Sequence, residues 1–422
     1  MTSFRFLHCA DLHLDSPLRG LEADPDAPVE TIRGATRQAL RNMVDHVLTE
    51  KLDFVVAAGD LYDGDWQDWR TGHFLVGQIR RLTREGIPFI AIRGNHDAES
   101  VITKHLNFSD DLAHRFDSKK ASTFRLNHLP VSIHGQSFAN RAVRENIARE
   151  YPPPEADRFN IGLLHSSIDG REDHEEYAPC STDQWRNHGS DYWALGHVHK
   201  GEILSSDPWI VFPGNLQGRS IKETGPKGAT VVTVTDGRVA DVSSVVFDTV
   251  RWARVSILLA EDADEEAALT QVRGALHGEV ELAGGRLLAV RVILSGACAA
   301  HGMFSRDLDT IREKIRAEAL AVAGPAMIWI EKIDIATSPL ARNIVQGERT
   351  DAVTNLLKAL ETIDGEDLLE NVRAYAEAML DRATFLKQIP GDPHAAVVAA
   401  NGTLPEDLLQ RARHLLLGSL GS

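Results

Sequence analysis

Short apolar runs alternate with stretches of helical periodicity along the first part of the chain. Apolar runs of about four to eight residues bounded by turn residues fit buried strands. Such runs occur at residues 4–10, 54–58, 89–92, 131–134, 160–164, 192–195, 209–212 and 229–234, with a hairpin partner at 239–247. Helical spacing of apolar residues predicts helices over residues 30–52 and 66–85. The pattern predicts an α/β domain over residues 1–250.

The rest of the chain divides into a small α/β unit and a helical region. Residues 251–335 predict strands at 253–259, 287–294 and 327–333 and helices at 265–276 and 307–321. We expect this unit to cap or shape a site on the first domain. Residues 336–349 are predicted to be a linker. Apolar residues at helical spacing predict helices over residues 350–422, which either pack within the protein or dock a helical partner.

Polar residues directly follow five of the predicted strands. Loops at strand ends are the usual place for functional side chains in a layered α/β domain. A single histidine is more often a structural polar group than a ligand, but five such stretches in one order indicate a two-metal hydrolase. The stretches are Asp11-Leu12-His13, Gly59-Asp60-Leu61-Tyr62-Asp63, Arg93-Gly94-Asn95-His96-Asp97, Leu164-His165 and Gly196-His197-Val198-His199.

The residue types in these stretches suit a pair of transition-metal ions. Asp11 and His13 are two residues apart at a strand end, so their side chains point to one face. The two oxygens of Asp60 could bridge two cations. Asn95, His165, His197 and His199 complete a set of nitrogen and oxygen ligands that suits Mn, Fe or Zn better than Ca. Paired metal ions of this kind clamp a displacement at phosphorus.

The charges of the predicted ligands favour a phosphate substrate. Two divalent ions bring four positive charges, and Asp11 and Asp60 return only two. A hydroxide activated by the metal would be the nucleophile, since coordination lowers the pKa of water. His96 is adjacent to a ligand, so we expect it to protonate the leaving oxygen. Asp97 is expected to orient His96, as carboxylates commonly fix an imidazole.

These motifs resemble those of the calcineurin-like metallophosphoesterases, and in particular the SbcD/YhaO-type DNA-repair exonuclease branch. The likeness to the branch rests on Ala10-Asp11-Leu12-His13-Leu14-Asp15-Ser16-Pro17, on residues 174–180, and on Pro213-Gly214-Asn215-Leu216-Gln217-Gly218-Arg219 followed by Glu223 and Gly225. It is specific over residues 4 to 228. The resemblance implies a four-layer α/β/β/α sandwich with a small α/β capping domain and a helical C-terminal region.

The resemblance also implies roles for individual residues. One metal would be held by Asp11, His13, Asp60 and His199, and the other by Asp60, Asn95, His165 and His197. Relatives of this kind cut DNA phosphodiesters with manganese beside a coiled-coil, SbcC-like ATPase. Some have a second catalytic histidine three residues after the bridging carboxylate, where this chain has Asp63, as bacterial relatives do. Asp63 is therefore a candidate catalytic residue, and the alternative is a plain turn residue before Gly64. We therefore expect the mechanism to depend mainly on His96.

Composition limits the alternatives. The 422 residues are 43% hydrophobic and 25% charged, which is typical of an ordinary globular protein. A formal net charge of −16 argues against a protein that coats nucleic acid through a broad basic face. The three cysteines are widely spaced and predicted to be buried thiols. No leader or membrane span is indicated, so we expect a cytoplasmic protein; the sequence leaves a homodimer open.

Further residues have two interpretations each. Arg219 and His174 are candidate substrate contacts. The alternative for Arg219 is an ordinary surface salt bridge, and the alternative for His174 is a place in a polar loop with no role at the site. His134 follows a predicted strand and is either a residue that faces the site or an ordinary polar residue. Arginines on the first two helices could follow a DNA backbone but are more typical of solvated helix faces. Trp66 and Trp69 could stack on bases, or pack in the core.

The leading hypothesis is a manganese-dependent DNA exonuclease or endonuclease. An alternative enzyme is a metallophosphoesterase for small phosphodiesters such as cyclic nucleotides, because the same ligands would serve and an acidic surface suits a compact substrate. A third possibility is an assembly subunit of an ATPase complex with weak catalysis. The length of chain beyond the first domain favours the first hypothesis over the second.

Overall fold

The computed structural model describes residues 3–16, 27–63, 69–99, 111–167 and 178–340. The predicted helices over residues 350–422 lie outside these ranges, as do His174 and Trp66. Within the described ranges, no helix is both long and apolar enough to cross a bilayer.

The first sheet has six strands and carries the earliest motifs at one edge. Strands β1, β2, β3 and β4 are parallel neighbours, so the carboxyl ends of β1–β3 lie together. Strand β11 joins β1 and β12 joins β11, both antiparallel, giving the order β12-β11-β1-β2-β3-β4. The strands are β1 Ser3–Cys9, β2 Phe54–Ala58, β3 Phe89–Ile92, β4 Ala113–Arg115, β11 Gly228–Thr235 and β12 Arg238–Val246.

The second sheet also has six strands, in the order β5-β6-β7-β8-β10-β9. Its central strands β6, β7, β8 and β10 are parallel, and β5 and β9 add antiparallel edges. The strands are β5 Ser122–Arg125, β6 Val131–Gly135, β7 Phe159–His165, β8 Tyr192–Gly196, β9 Glu202–Ser206 and β10 Trp209–Phe212.

Apolar side chains from both sheets form the central core. Phe6 of the first sheet stacks on Phe54 with ring centroids 4.9 Å apart, and contacts the edge of Tyr192 from the second sheet at 5.4 Å. This layer is buried and continuous between the sheets. Aromatic pairs in such geometries add stability beyond the area that they bury.

Helices cover the outer faces of the two sheets. Helices α1 Val29–Glu50 and α2 Trp69–Arg84 bury their apolar stripes against the first sheet. A short 3-10 helix and α4 Thr182–His188 cover the second sheet, where Trp185 is fully buried. Helix α3 Asn95–Glu99 follows β3. The α/β/β/α sandwich expected from the sequence is confirmed.

A third sheet of three strands, in the order β13-β14-β15, belongs to the later part of the chain. Three further helices accompany it in sequence. The elements are β13 Val250–Leu258, α5 Glu265–Ala283, β14 Leu287–Ala297, α6 His301–Arg306, α7 Leu308–Ala323 and β15 Ile328–Ser338. The predicted strands and helices of this region are present, and α6 is an additional short helix that was not predicted. Strand β15 extends to Ser338, so the linker prediction was wrong for residues 336–338.

Two compact units can be distinguished within the described residues. Among those residues, the first unit consists of the residues up to Arg254 with Glu279–Val290 and Pro325–Glu331, and the second consists of Val255–Gly278, Arg291–Gly324 and residues 332–340. The predicted boundary near residue 250 and the predicted capping role of the second unit stay predictions.

The sequence missed three short or irregular strands. β4 has only three residues, and β5 and β9 are edge strands with half-exposed or exposed side chains. Such strands carry no continuous apolar run, which is the signal that identified the others.

Candidate metal centre

The motif residues meet where the carboxyl ends of the two sheets approach each other. Asp11 and Asp60 follow β1 and β2, and His165 ends β7 of the second sheet. Nδ1 of His165 donates to the carbonyl oxygen of Ala58 at 2.8 Å, which joins the sheets directly at the site. The backbone N–H of His197 donates to the carboxylate of Asp11 at 3.0 Å.

The backbone around the site is held in an unusual conformation. Four non-glycine residues of the site have positive φ angles: Asp11 (51°), His13 (41°), Asp60 (51°) and His197 (96°). This region is disfavoured for residues with a Cβ and persists only where the surrounding structure enforces it. Four of the nine non-glycine residues with positive φ within the described ranges lie at this site, so the surrounding structure holds the turns that carry these side chains.

Glycine is required at Gly94 and Gly196 for close packing against the site. A Cβ on Gly94 would lie 2.2 Å from Oδ1 of Asp60, and one on Gly196 would lie 2.0 Å from the carbonyl oxygen of Ala58. Neither distance is possible between non-bonded atoms. The loops that carry the carboxylate and imidazole groups can therefore approach each other only because these residues lack side chains.

A first cluster consists of Asp11, His13 and His199. Nε2 of His13 and Nε2 of His199 face each other at 3.1 Å. Oδ1 of Asp11 lies 4.0 Å from Nε2 of His13 and 3.8 Å from Nε2 of His199. Metal–ligand distances near 2.1 Å place two ligands of one ion about 3 to 4 Å apart, so these three atoms fit a shared cation.

A second cluster is formed around Asp60, with Asp11 and His165. Oδ2 of Asp60 lies 3.4 Å from Nε2 of His165 and 3.9 Å from Nε2 of His13. Asn95 presents Oδ1 to Nε2 of His165 at 2.8 Å. Nδ1 of His165 donates its proton to Ala58, so in the neutral ring Nε2 carries a lone pair. This lone pair faces another acceptor, Oδ1 of Asn95, and the contact is favourable only if a proton or a metal ion lies between the two atoms.

The electrostatics of the cluster favour a bound cation. Burial raises the pKa of Asp11, which is fully enclosed, because its charge is poorly solvated. Burial also disfavours the charged form of His165, but the carboxylate of Asp60, the charge of Asp11 and the hydrogen bond to Ala58 together outweigh this effect and raise the pKa of His165 to about 9. The donor set and its charge therefore fit divalent metal ions.

His197 is the one predicted histidine ligand that falls outside the candidate groups. Within the described residues, three groups of His, Cys, Asp or Glu side chains have donor atoms close enough to hold an ion, and none includes His197. Its ring does lie against that of His165, with centroids 5.2 Å apart. The ligand role of His197 stays a prediction.

The acid next to His96 differs from the one expected. Oδ1 of Asp63 lies 2.8 Å from Nδ1 of His96. Asp97 instead accepts hydrogen bonds from the backbone N–H groups of Leu61, Tyr62 and Gly94. The expectation that Asp97 orients His96 is thus corrected. Asp97 fixes the two loops that carry Asp60 and Asn95.

Asp63 also shifts the protonation of its partner. Burial disfavours the charged imidazolium of His96, but the hydrogen bond with Asp63 and the negative charges of Asp60 and Asp63 together outweigh it and raise the pKa of His96. The side chain of His96 remains 27% exposed, in contrast to fully buried His13 and His165. His96 is also close enough to His13 and Asp60 to belong to a third potential ligand group.

Arg219 lies beside the site between two carboxylates. Nη1 contacts Oδ2 of Asp63 at 3.2 Å, and Nη2 contacts Oε1 of Glu223 at 3.1 Å. Oε1 of Glu223 is 2.7 Å from Nδ1 of His199. The sequence drew attention to Glu223 only as part of a motif and gave it no role. A contact between Arg219 and substrate phosphate stays a prediction.

Other candidates have structural partners. His134 contacts Thr123 at 2.8 Å and Asn160 at 3.1 Å, as a satisfied polar group does. Arg37 pairs with Asp15, and Arg81 pairs with Asp45 at 2.6 Å, so these positions of the basic helix faces take part in local ion pairs. The side chain of Trp69 is 50% exposed. The three cysteines are buried free thiols, as predicted.

Comparisons with known proteins agree with the geometry. A model of the calcineurin-like phosphoesterases matches residues 4–201, and one described as the middle domain of metallophosphoesterase YhaO matches residues 252–338. An uncharacterized metallophosphoesterase YhaO of Bacillus subtilis (strain 168) is 34% identical over 324 residues, covering 74% of this chain and 78% of the relative.

More distant relatives are named DNA double-strand break repair protein Mre11. The protein from Methanopyrus kandleri is 28% identical over 236 residues, which cover 50% of this chain and 48% of the relative. The protein from Haloferax volcanii is 24% identical over 359 residues, which cover 76% of each.

Proposed function

Since this chain belongs to the calcineurin-like phosphoesterases, we propose that it is a two-metal phosphodiesterase whose substrate is DNA. Family membership supports a metal-dependent phosphoester hydrolase. The number of ions, their identity and the DNA substrate are the proposal's own additions.

One observation carries the two-metal proposal. Asp11 and Asp60 are each shared between two of the candidate ligand groups, and both carboxylates are about 99% buried. His199 and His165 belong to different groups, so a single ion would engage only one of these two histidines. Two ions that share Asp60 would engage both histidines and both carboxylates.

The proposed ligand sets are those that the family resemblance implies, and the clusters support them apart from His197. One ion would be held by Asp11, His13, Asp60 and His199, and the other by Asp60, Asn95, His165 and His197. The mixture of imidazole, carboxylate and amide groups suits manganese, with iron or zinc as alternatives. When bound, such ions neutralise phosphate charge and lower the pKa of water toward neutrality.

The chain itself would supply the proton for the leaving oxygen. His96 is the most accessible of the clustered imidazoles apart from His199, and Asp63 holds its Nδ1. That contact leaves Nε2 as the atom that can donate to substrate. The raised pKa of His96 keeps the ring protonated to a higher pH than a free imidazole, as a general acid requires.

DNA is proposed as the substrate because of the relatives. The two archaeal proteins are named for DNA double-strand break repair. Two divalent ions would also make the site locally cationic despite the net charge of −16, since screening limits surface charges to about 8 to 10 Å. Exonuclease and endonuclease action are both consistent with the site.

The experiment uses the full chain, manganese, labelled linear DNA and the small chromogenic diester bis-p-nitrophenyl phosphate. We expect cleavage of both substrates, loss of both activities with a chelator, and recovery with added manganese. The variant Asp60→Asn should be inactive, whereas Asp45→Asn, which removes an exposed carboxylate on α1, should be fully active. Turnover of the diester alone would support the small-phosphodiester alternative.

The predicted partner requires its own test. A coiled-coil, SbcC-like ATPase is expected to bind the region after Arg349, which lies outside the described residues. Full-length and shortened chains would be compared for capture of the ATPase, and equal capture would refute the docking prediction. Gel filtration with light scattering would decide whether the protein is a homodimer.

A further inference from the structure

A chain of polar contacts connects His96 and His199, two partly exposed imidazoles of the metal centre. His96 contacts Asp63 at 2.8 Å, and Asp63 contacts Arg219 at 3.2 Å. Arg219 contacts Glu223 at 3.1 Å, and Glu223 contacts His199 at 2.7 Å. Each histidine is thus held at Nδ1 by a carboxylate, and one guanidinium holds both carboxylates.

We propose that Glu223 is the positioning residue of His199, and that Arg219 links its orientation to that of His96. The inference rests on the proposed function, because it concerns the ligand and acid roles assigned above. Glu223 and Arg219 are positioning residues rather than catalytic ones, since they would act through the imidazoles.

Glu223 determines which ring nitrogen of His199 carries the proton. A carboxylate accepts hydrogen bonds, so the contact with Glu223 places the proton of His199 on Nδ1. Nε2 then carries the lone pair, and it is the nitrogen that faces His13 at 3.1 Å. The carboxylate therefore selects the tautomer whose free lone pair points into the cluster, as carboxylates behind metal-binding histidines generally do.

The carboxylate of Glu223 is itself held in place by hydrogen bonds. Its other oxygen, Oε2, accepts from the side-chain amide of Asn215 at 2.9 Å and from the backbone N–H of Arg219 at 2.7 Å. Lys227 holds the same loop from another side, because its ammonium group donates to the carbonyl oxygen of His199 at 2.9 Å. Both the carboxylate and the histidine backbone are thus anchored, so little rotation of the ring remains.

The shape of the arginine side chain allows it to join the carboxylates of Asp63 and Glu223. The guanidinium is planar and presents several N–H groups in fixed directions, so one side chain can contact Asp63 and Glu223 at once. Lysine carries its charge at a single nitrogen and could not span both acids in this way. Arg219 is largely buried with a side-chain exposure of 17%, which strengthens both contacts.

The orientation of His199 can be read without metal. The 15N chemical shifts of histidine rings distinguish the two neutral tautomers, so the metal-free full chain would be compared as wild type, Glu223→Ala and Glu223→Gln. We expect Nδ1–H at His199 in the wild type and in Glu223→Gln, whose amide oxygen still accepts from Nδ1. Glu223→Ala should give mixed tautomers. An unchanged His199 spectrum in Glu223→Ala would overturn the proposal.

Metal binding gives the second readout, by calorimetric titration of the metal-free chain with Mn²⁺. Glu223→Ala should weaken one manganese site about 10- to 100-fold and leave the other unchanged, as for other removed partners of ligating histidines. Glu223→Gln should recover most of this loss. Glu155→Ala is the matched control, since Glu155 also contacts two arginines, Arg125 and Arg158, away from the metal centre.

The link through Arg219 is tested by a double-mutant cycle. The effects of Asp63→Asn and Glu223→Gln on kcat should be non-additive when Arg219 is present and additive when it is replaced by methionine. Additive effects in both backgrounds would refute the link. Should Glu223→Ala fail to fold, Glu223→Met takes its place in both measurements, because methionine is close to glutamate in size but cannot accept a hydrogen bond from Nδ1 in the way a carboxylate does.

The outcomes separate this inference from the proposed function. A wild-type chain that binds manganese but cleaves neither DNA nor the diester would refute the proposed function, while the tautomer and affinity of the Glu223 variants would still decide the positioning role. A wild-type chain that cleaves DNA, with unaltered tautomer and affinity in Glu223→Ala, would refute only the positioning role.

Discussion

Oδ1 of Asp63 lies 2.8 Å from Nδ1 of His96, in the place where the sequence favoured Asp97 as the partner. A carboxylate in that position fixes the imidazole ring and favours its charged form. Asp63 is itself held by Arg219. The side chain expected to donate a proton is therefore held by Asp63, a candidate catalytic residue for which the sequence predicted no contact with His96.

Replacing Asp63 by asparagine should lower kcat about 10- to 100-fold, because His96 would lose its orienting charge. Metal content should be unchanged. The measurement is diester hydrolysis together with elemental analysis of the purified protein. Asp15→Asn is the control, since Asp15 lies on the loop that follows β1 and pairs with Arg37 of α1 rather than with His96. An equal fall in both variants would contradict a specific role for Asp63.

Replacing His96 by asparagine should reduce kcat by about two to four orders of magnitude, which is the usual contribution of a general acid. Both metal ions should be retained. The same change at His73, an exposed residue of α2, should have no effect. Loss of one metal equivalent in the His96 variant would instead identify this residue as a ligand, consistent with its closeness to His13 and Asp60.

Alanine at Gly94 should impair metal binding by displacing Asp60, because the added Cβ would lie 2.2 Å from Oδ1 of that carboxylate. We expect the manganese affinity to fall at least about tenfold, by analogy with other disturbed ligand shells. Gly77→Ala on α2 meets nothing within 4 Å and should raise stability by up to about 1 kcal/mol. Normal manganese affinity in Gly94→Ala would show that Asp60 can move without consequence.

Acid should destabilise the protein partly through His8. This residue is fully buried between Tyr192 and the carbonyl oxygen of Leu195, and burial lowers its pKa to about 3. Between pH 6.5 and about 3 the unfolded chain binds a proton at His8 that the folded chain does not. The free energy of unfolding should therefore fall with falling pH, by up to about 1.4 kcal/mol per unit from this group.

Denaturant unfolding of the metal-free chain from pH 7 to pH 5 would measure this effect. His8→Gln cannot titrate, so its free energy of unfolding should depend less steeply on pH than that of the wild type. His73→Gln, at an exposed position, should behave like the wild type. Identical slopes for wild type and His8→Gln would refute the assignment.

The central strands and the main site positions could be predicted because their signals are local in sequence. The run Phe89–Ile92 is wholly buried, and the polar residues that follow it extend directly into the site. Parallel pairing of β1, β2 and β3 then brings Asp11, Asp60 and Asn95 to one edge of the sheet. Sequence spacing is sufficient to predict that edge.

The partners of the clustered side chains could not be predicted in this way. Glu223 is 24 residues from His199, and Asp63 is 156 residues from Arg219, so only the tertiary fold brings them together. Asp97 is the nearest carboxylate to His96 in sequence, but its helical turn directs it to the backbone of Leu61 and Tyr62. Sequence proximity was misleading there because hydrogen bonds to buried N–H groups took precedence.

The most direct test of the account is a crystal structure of the full chain with manganese, measured with anomalous scattering. The account predicts two anomalous peaks, each in contact with the carboxylate of Asp60, and one of them also in contact with Nε2 of His199. A single peak, or two peaks that do not share Asp60, would contradict the two-metal centre on which the proposed reaction depends.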